Sequence, residues 1–280
     1  MVLLDFFNGK ADYLSNMEKT NEIIYNMNKE LVHRGPDENG IYISKSFALG
    51  HNRLSIIDLI SGHQPMIRKI GEGEFGIVYN GEIYNMDILR KELEEKGWEF
   101  KTTSDTEVIL ISYIEYGYDF VEKLNGIFSI AIMDSYRNQL ILYRDRSGIK
   151  PLFYTIVKNE LVFASEIKAL FEYPGVEKKF NEQCLSSYLA FQYNPLTETF
   201  YRGIFQLLPA HYLEFTDNLK LTHYFKFNYN LDDNLKETDA LNMLESTLKD
   251  SISHHRLADV EMGSFLSGGI DSSYLAANAK

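Results

Sequence analysis

Four short runs rich in Ile, Leu, Phe and Tyr, at residues 127–133, 139–144, 152–157 and 161–164, follow one another closely. Several are joined by turns such as Asp134-Ser135-Tyr136-Arg137-Asn138. Residues of this kind between turn signals predict strands. Similar stretches occur at 40–44, 47–52 and 75–80. Helical patterns lie apart from them, at 14–32, 85–96, 105–116, 164–172 and 181–190. In the first, Ser15 and Glu18 have capping-box spacing and Ile23, Ile24, Met27 and Leu31 recur at helical spacing. Met86, Leu89 and Leu93 form one stripe that Gly97 stops, and Ser104 is placed to cap the next helix. Strands in two groups with helices set apart predict an α+β fold with antiparallel sheets rather than βαβ units.

The 280 residues leave room for two domains at about 150 residues each. The polar, aperiodic stretch 227–236 reads as a linker between domains at 1–226 and 237–280. Beyond it, Thr238 is placed to cap a helix running to about His255, with Leu241, Leu244, Leu248 and Ile252 on one face. The 28 Lys+Arg against 40 Asp+Glu give a net charge of −12, which argues against a nucleic-acid binder. Neither a membrane-length apolar run nor a basic leader is present, so a cytoplasmic protein without membrane partners is expected. The single cysteine, Cys184, leaves no internal disulfide or multi-cysteine metal site, and no metal ligand is expected in this chain.

Two groups of residues carry chemistry. In the first, a strand expected at 262–266 enters Ser267-Gly268-Gly269-Ile270-Asp271-Ser272-Ser273, and a helix begins. Backbone N–H groups at such a turn favour phosphate, glycine permits close approach, and serine hydroxyls add donors. No Gly-Lys-Ser/Thr follows, so this is not a Walker A loop. It resembles the PP-loop of ATP pyrophosphatases. The plainer reading is a Gly-rich strand–helix turn with no ligand.

The second group comprises Arg34-Gly35-Pro36-Asp37, the segment from His51 to Asp58, the segment from Tyr79 to Asn85, and Ser104-Asp105-Thr106-Glu107. An arginine can hold a carboxylate bidentately, and acidic side chains can hold an ammonium. An asparagine amide beside a glycine N–H can stabilise an oxyanion. Such a set suits a free α-amino acid undergoing acyl transfer. Singly, each has a plainer reading: Asn80-Gly81 as a hairpin turn, Asp105 as a helix cap, Arg53 as half of a surface ion pair.

Together with the segments Tyr143 to Leu152 and Ala164 to Leu170, these motifs resemble the class II glutamine amidotransferase domain of asparagine synthetases, in that family's order. The resemblance covers almost the whole chain, and the Gly-rich turn falls where the synthetase domain begins. It implies an Ntn-hydrolase αββα sandwich that hydrolyses glutamine to glutamate and ammonia. The first elements of an α/β synthetase domain would follow, with ATP and Mg²⁺ activating aspartate for conversion to asparagine. By matching position, Arg53 would take the glutamine carboxylate, Glu82 and Asp105 its ammonium, and Leu54, Ser55, Ile56 and Ile57 would line the pocket. Asn80 and Gly81 would form the oxyanion hole. Leu266, Ser267, Gly268, Gly269, Asp271, Ser272 and Ser273 would hold ATP. No cofactor is implied in the amidotransferase domain, and the family is often homodimeric. Two other readings stay open: an amidotransferase acting on another carboxylate, and a non-catalytic glutamine-binding module.

The sequence departs from the family at its start. The family nucleophile is a cysteine exposed when Met is removed, whereas this chain begins Met1-Val2-Leu3-Leu4-Asp5-Phe6. Cys184, in a helical stretch, is expected to be an ordinary structural thiol. The codons TGT GGT TTT GTT GGA TTT encode Cys-Gly-Phe-Val-Gly-Phe. Read one base later from GTG, they give Met-Val-Leu-Leu-Asp-Phe. A one-base length difference near Phe6-Phe7 is therefore the expected cause, which sequencing the DNA around the start would test. The alternative is a Cys-less paralogue whose synthetase half uses free ammonia. The aspartate pocket is not expected within these residues, and residues from 237 onward are expected to pack poorly.

Overall fold

The computed structural model describes residues 2–4, 16–216, 218–256 and 259–279. In chain order come β1 (Val2–Leu4), α1 (Met17–Lys29), β2 (Glu38–Ile43), β3 (Ala48–Arg53), β4 (Met66–Ile70), β5 (Gly73–Ile83), α2 (Met86–Glu95) and α3 (Asp105–Tyr116). There follow α4 (Phe120–Lys123), β6 (Gly126–Asp134), β7 (Gln139–Arg144), β8 (Phe153–Val157), β9 (Glu160–Ala164), α5 (Ile167–Leu170) and α6 (Glu182–Phe191). The last elements are β10 (Ile204–Gln206), β11 (His211–Phe215), β12 (Leu219–His223), α7 (Glu237–His254) and α8 (Ile270–Asn278). Every strand pairing is antiparallel among the described residues. One sheet has the order β1-β9-β8-β10, a second β12-β11-β7-β6-β5-β4, and β2-β3 form a further pair.

The twofold periodicity of the strands builds the layers, because successive side chains leave opposite faces. On β5, β6 and β7, Ile77, Ile130, Ile132 and Ile141 face Leu89, Leu93 and Val108 of α2 and α3. The intervening Val78, Ala131, Met133, Leu140 and Leu142 meet Leu161 and Phe163 of the facing sheet. On β9 the alternate residues Val162 and Ala164 turn outward to Ile24 and Met27 of α1 and Leu170 of α5. Three apolar cores thus separate four layers in the order αββα. This is the α+β sandwich of antiparallel sheets that the pattern and the resemblance predict.

Ser104 caps α3 as expected: its hydroxyl accepts from the Thr106 N–H at 3.1 Å. Four expectations fail locally. No strand is expected between 52 and 75, yet Met66–Ile70 forms β4, paired with β5. Asn80-Gly81 is no turn but the interior of β5, paired with Ser129 and Phe128 of β6. Lys236, not Thr238, occupies the cap position of α7. The stretch 262–266 forms no strand: it has no sheet to join, and Phe265 is fully exposed. The expected cap at Ser15 lies outside the described residues.

Candidate functional site

The ends of β3, β5 and α3 converge on one cleft of about 440 Å³, a volume in the range of small-molecule sites. Of the nine residues expected to bind glutamine, eight line it: Arg53, Leu54, Ile56, Ile57, Asn80, Gly81, Glu82 and Asp105. Ser55 is the exception. It lines a neighbouring shallow hollow with Leu59 and His63, and its N–H donates to Asp37 at 2.8 Å.

Arg53 ends β3 and is 6% exposed. It is no surface ion pair. Its Nη2 donates to the carbonyls of Ile57 and Asp58, while Nη1 lies 3.4 Å from Glu38. A Cβ on Gly62 would stand 2.5 Å from Nη2 and 3.0 Å from the Asp58 carbonyl oxygen, so a side chain there would push the guanidinium out of place. The loop is pinned by Asp58, whose carboxylate accepts from the N–H groups of Ser61 at 2.8 Å and Thr103 at 2.9 Å. Burial raises the Asp58 pKa, but these hydrogen bonds outweigh it and hold the carboxyl well below the usual range.

Asp105 is the first residue of α3, where the helix dipole favours a carboxylate. It accepts from the Tyr79 hydroxyl at 2.8 Å. Burial nevertheless pushes its pKa up to about 6, with the charge of Glu82 adding to the rise and the Tyr79, Ile83 and Thr106 donors opposing it. A carboxylate this deeply buried is electrostatically suited to a cation.

Asn80 offers the complementary group. Its Nδ2 is buried and makes no hydrogen bond among the described residues. An unpaired buried N–H costs free energy, which a ligand oxygen placed against it would recover. Gly81 lets β5 lie tight on β6: a Cβ there would stand 2.1 Å from the Ile127 carbonyl oxygen.

Several supporting residues have roles that the sequence alone does not show. The Gln64 side chain accepts from the Tyr79 N–H at 2.6 Å and donates to Thr106 at 3.2 Å, tying β5 to α3. His51 Nε2 lies 3.2 Å from the Tyr79 carbonyl. Burial lowers the His51 pKa well below its ordinary value, so the ring is neutral. Its Nε2–H is the donor, since a carbonyl can only accept. At the rim, Arg34 pairs with Glu166 at 2.9 Å. That pair joins two of the sequence motifs, and Lys150 completes the rim.

Cys184 stands apart from the cleft. It is buried in α6, its thiol 3.1 Å from the Thr199 carbonyl, and burial pushes its pKa up. The Gly-rich turn leads into α8 with Gly269 at the cap position and Gly268 at φ +81°. Ser267 and Ser272 hydroxyls lie 2.9 Å apart across it. Leu266 is exposed, as are the other residues expected to bind ATP except Ser272, which is partly exposed. Among the described residues no three His, Cys, Asp or Glu side chains gather as a metal site, so no ligand is assigned to Mg²⁺.

A family model described as a glutamine amidotransferase domain matches residues 8–226. The chain belongs to that family. A second model, described as asparagine synthase, matches residues 243–280, so the amidotransferase domain is followed by the start of a synthase domain. Asparagine synthetase [glutamine-hydrolyzing] 3 of Bacillus subtilis (strain 168) is 36% identical over 277 residues, covering 97% of this amidotransferase and 44% of the relative. Asparagine synthetase [glutamine-hydrolyzing] 2 of the same organism is 40% identical over 274 residues, covering 93% and 36%. The chain thus spans less than half the length of these relatives. A solved structure described as the allosteric regulatory enzyme of purine biosynthesis superposes with a TM-score of 0.48 at 19% identity, covering 85% of this chain and 50% of that one. Among the described residues no helix is long and apolar enough to cross a membrane.

Proposed function

We propose that the cleft binds L-glutamine as the substrate of amide hydrolysis. The observation that carries this reading is the meeting of three unlike groups in one cleft: the Arg53 guanidinium, the buried Asp105 carboxylate and the unpaired Asn80 amide. Arg53 takes the α-carboxylate, Asp105 and Glu82 the α-ammonium, and the side-chain amide carbonyl lies toward Asn80 and Gly81. As a nucleophile attacks that carbonyl, negative charge grows on its oxygen, and the Asn80 Nδ2–H and the Gly81 N–H stabilise it. The leaving group is ammonia.

The attacking sulfur is not among the described residues at the cleft. A cysteine freed at the N-terminus, with its own α-amine as base, is the nucleophile the family relationship supplies.

In the longer protein, the aspartate β-carboxylate would attack ATP to give an adenylate and pyrophosphate, and ammonia would displace AMP to give asparagine. The segment 266–273 would hold ATP phosphates on its backbone N–H groups and serine hydroxyls, where a Mg²⁺ ion would offset the phosphate charge. The domains run over 1–226 and 237–280, joined by 227–236. This reading rests on the named relatives and on the Gly-rich turn entering α8.

The test compares the chain with a version carrying Val2→Cys and Leu3→Gly. Ammonia release from glutamine is expected only in the second. Adding Asn80→Ala to it should lower kcat about 10²–10³-fold, the effect of losing one oxyanion donor. Hydrolysis undiminished by Asn80→Ala would overturn the assignment.

A further inference from the structure

The stretch Ile56 to Asp58 is gripped from two sides. On one, the carbonyls of Ile57 and Asp58 accept from Arg53 Nη2. On the other, Asp259 makes a reciprocal pair: its carboxylate accepts from the Asp58 N–H at 2.8 Å, and its own N–H donates to the Ile56 carbonyl at 2.9 Å. Asp259 belongs to the C-terminal part of the chain, beyond the linker and eight residues before Ser267. A second contact lies close by in sequence: the His255 ring packs on Tyr84 with centroids 4.3 Å apart, directly after the Glu82-Ile83 end of β5. Val260 sits in the hollow beside Ser55 and Leu59.

We infer that Asp259 is a positioning residue for the Arg53 guanidinium, acting as a latch between the chain that leads to the Gly-rich turn and the loop that reads the amino-acid carboxylate. Three observations support it. The paired bonds fix position and direction at once, as one rung of an antiparallel ladder does. They act on Ile56 and Asp58, which flank Ile57, while the carbonyls of Ile57 and Asp58 orient Arg53. Asp58 is also strapped to the Ser61 and Thr103 N–H groups, so a shift at Asp259 is passed to a loop with few other freedoms. Whatever displaces residues 259–267 therefore changes the affinity for a carboxylate at Arg53, and the effect is reciprocal, because coupled binding equilibria must be. This deepens the functional reading above and rests on it for the identity of the ligand.

The test uses the whole 280-residue chain with Asp259→Ala and Asp259→Asn. Amide hydrogen exchange over 54–62 reads the latch, and calorimetric titration with L-glutamine reads its effect. Asp259→Ala should speed exchange across 54–62 and weaken glutamine binding by about fivefold each, the size of one net hydrogen bond. Exchange in β5 and β6 should stay as in the parent chain, which separates a freed loop from a failed fold. Asparagine keeps an acceptor for the Asp58 N–H, so Asp259→Asn should stay within about twofold of the parent. Unchanged exchange over 54–62 in Asp259→Ala overturns the inference, and so does an equal loss in Asp259→Asn. If the parent chain binds no glutamine, the functional reading fails, and exchange alone decides the latch.

Discussion

The Tyr79 hydroxyl donates to the buried Asp105 carboxylate at 2.8 Å, joining the middle of β5 to the first residue of α3. Tyr79 is itself held in place, its N–H by Gln64 and its carbonyl by His51. The next residue along the strand is Asn80. The acid that suits an ammonium and the amide that suits an oxyanion thus sit on one scaffold, and their separation is fixed by backbone geometry.

That placement has a cost in the free protein. Asp105 titrates near 6 when folded and about 3.9 when unfolded. Stability from this group is present below about pH 4 and lost as pH rises through about 6. Asp105→Asn removes the ionisation cost and is expected to raise stability at pH 7.5 by about 1 kcal/mol, well below the shift's full value because the amide matches the Ile83 and Thr106 donors less well. Urea unfolding at pH 7.5 and pH 4.5 checks it: the gain should shrink at the lower pH.

The same group sets the pH dependence of binding. An ammonium prefers the ionised carboxylate, so glutamine affinity should be flat above about pH 7. It should fall as pH drops through 6, by up to about tenfold per unit. Binding near pH 6 should release a proton, visible as a calorimetric heat that varies with the buffer's ionisation enthalpy.

Gly81→Ala places a Cβ 2.1 Å from a backbone oxygen of β6. The sheet must open there, and the expected loss is about 3 kcal/mol or more of unfolding free energy. Glycine is demanded here by strand packing, not by a turn.

Residue 81 shows what was legible in the sequence and what was not. The four polar motifs were readable because each carries its chemistry in adjacent residues, and eight of the nine glutamine candidates meet in one cleft. Asn80-Gly81 matched a hairpin turn locally, and only the β6 neighbours make it strand interior. Met66–Ile70 was missed because Arg68 and Lys69 break the apolar run, and Arg68 is satisfied across space by Glu107 at 2.8 Å. Gln64 carries no signal because Tyr79 lies 15 residues away in sequence, and the part that His51 plays is hidden by a separation of 28. The strand expected at 262–266 has the right residues but no neighbouring strand, and strand propensity alone does not satisfy backbone groups.

Residues 227–236 are exposed and lack regular structure. Limited trypsin digestion is expected to cut first after Lys226 or Lys236, leaving the αββα part intact on a gel. First cleavage inside 38–215 would contradict the layered packing described above.

The central claim is that Arg53, Asp105 and Asn80 together form a glutamine site, and equilibrium binding of L-glutamine tests it most directly. Saturable one-to-one binding at pH 7.5 is expected in isothermal titration, with D-glutamine binding at least about tenfold more weakly. Arg53→Ala and Asp105→Asn should each weaken it by about 2 kcal/mol or more, the scale of a hydrogen bond to a charged group. Absence of binding by the parent chain, or unchanged affinity in both variants, would contradict the account.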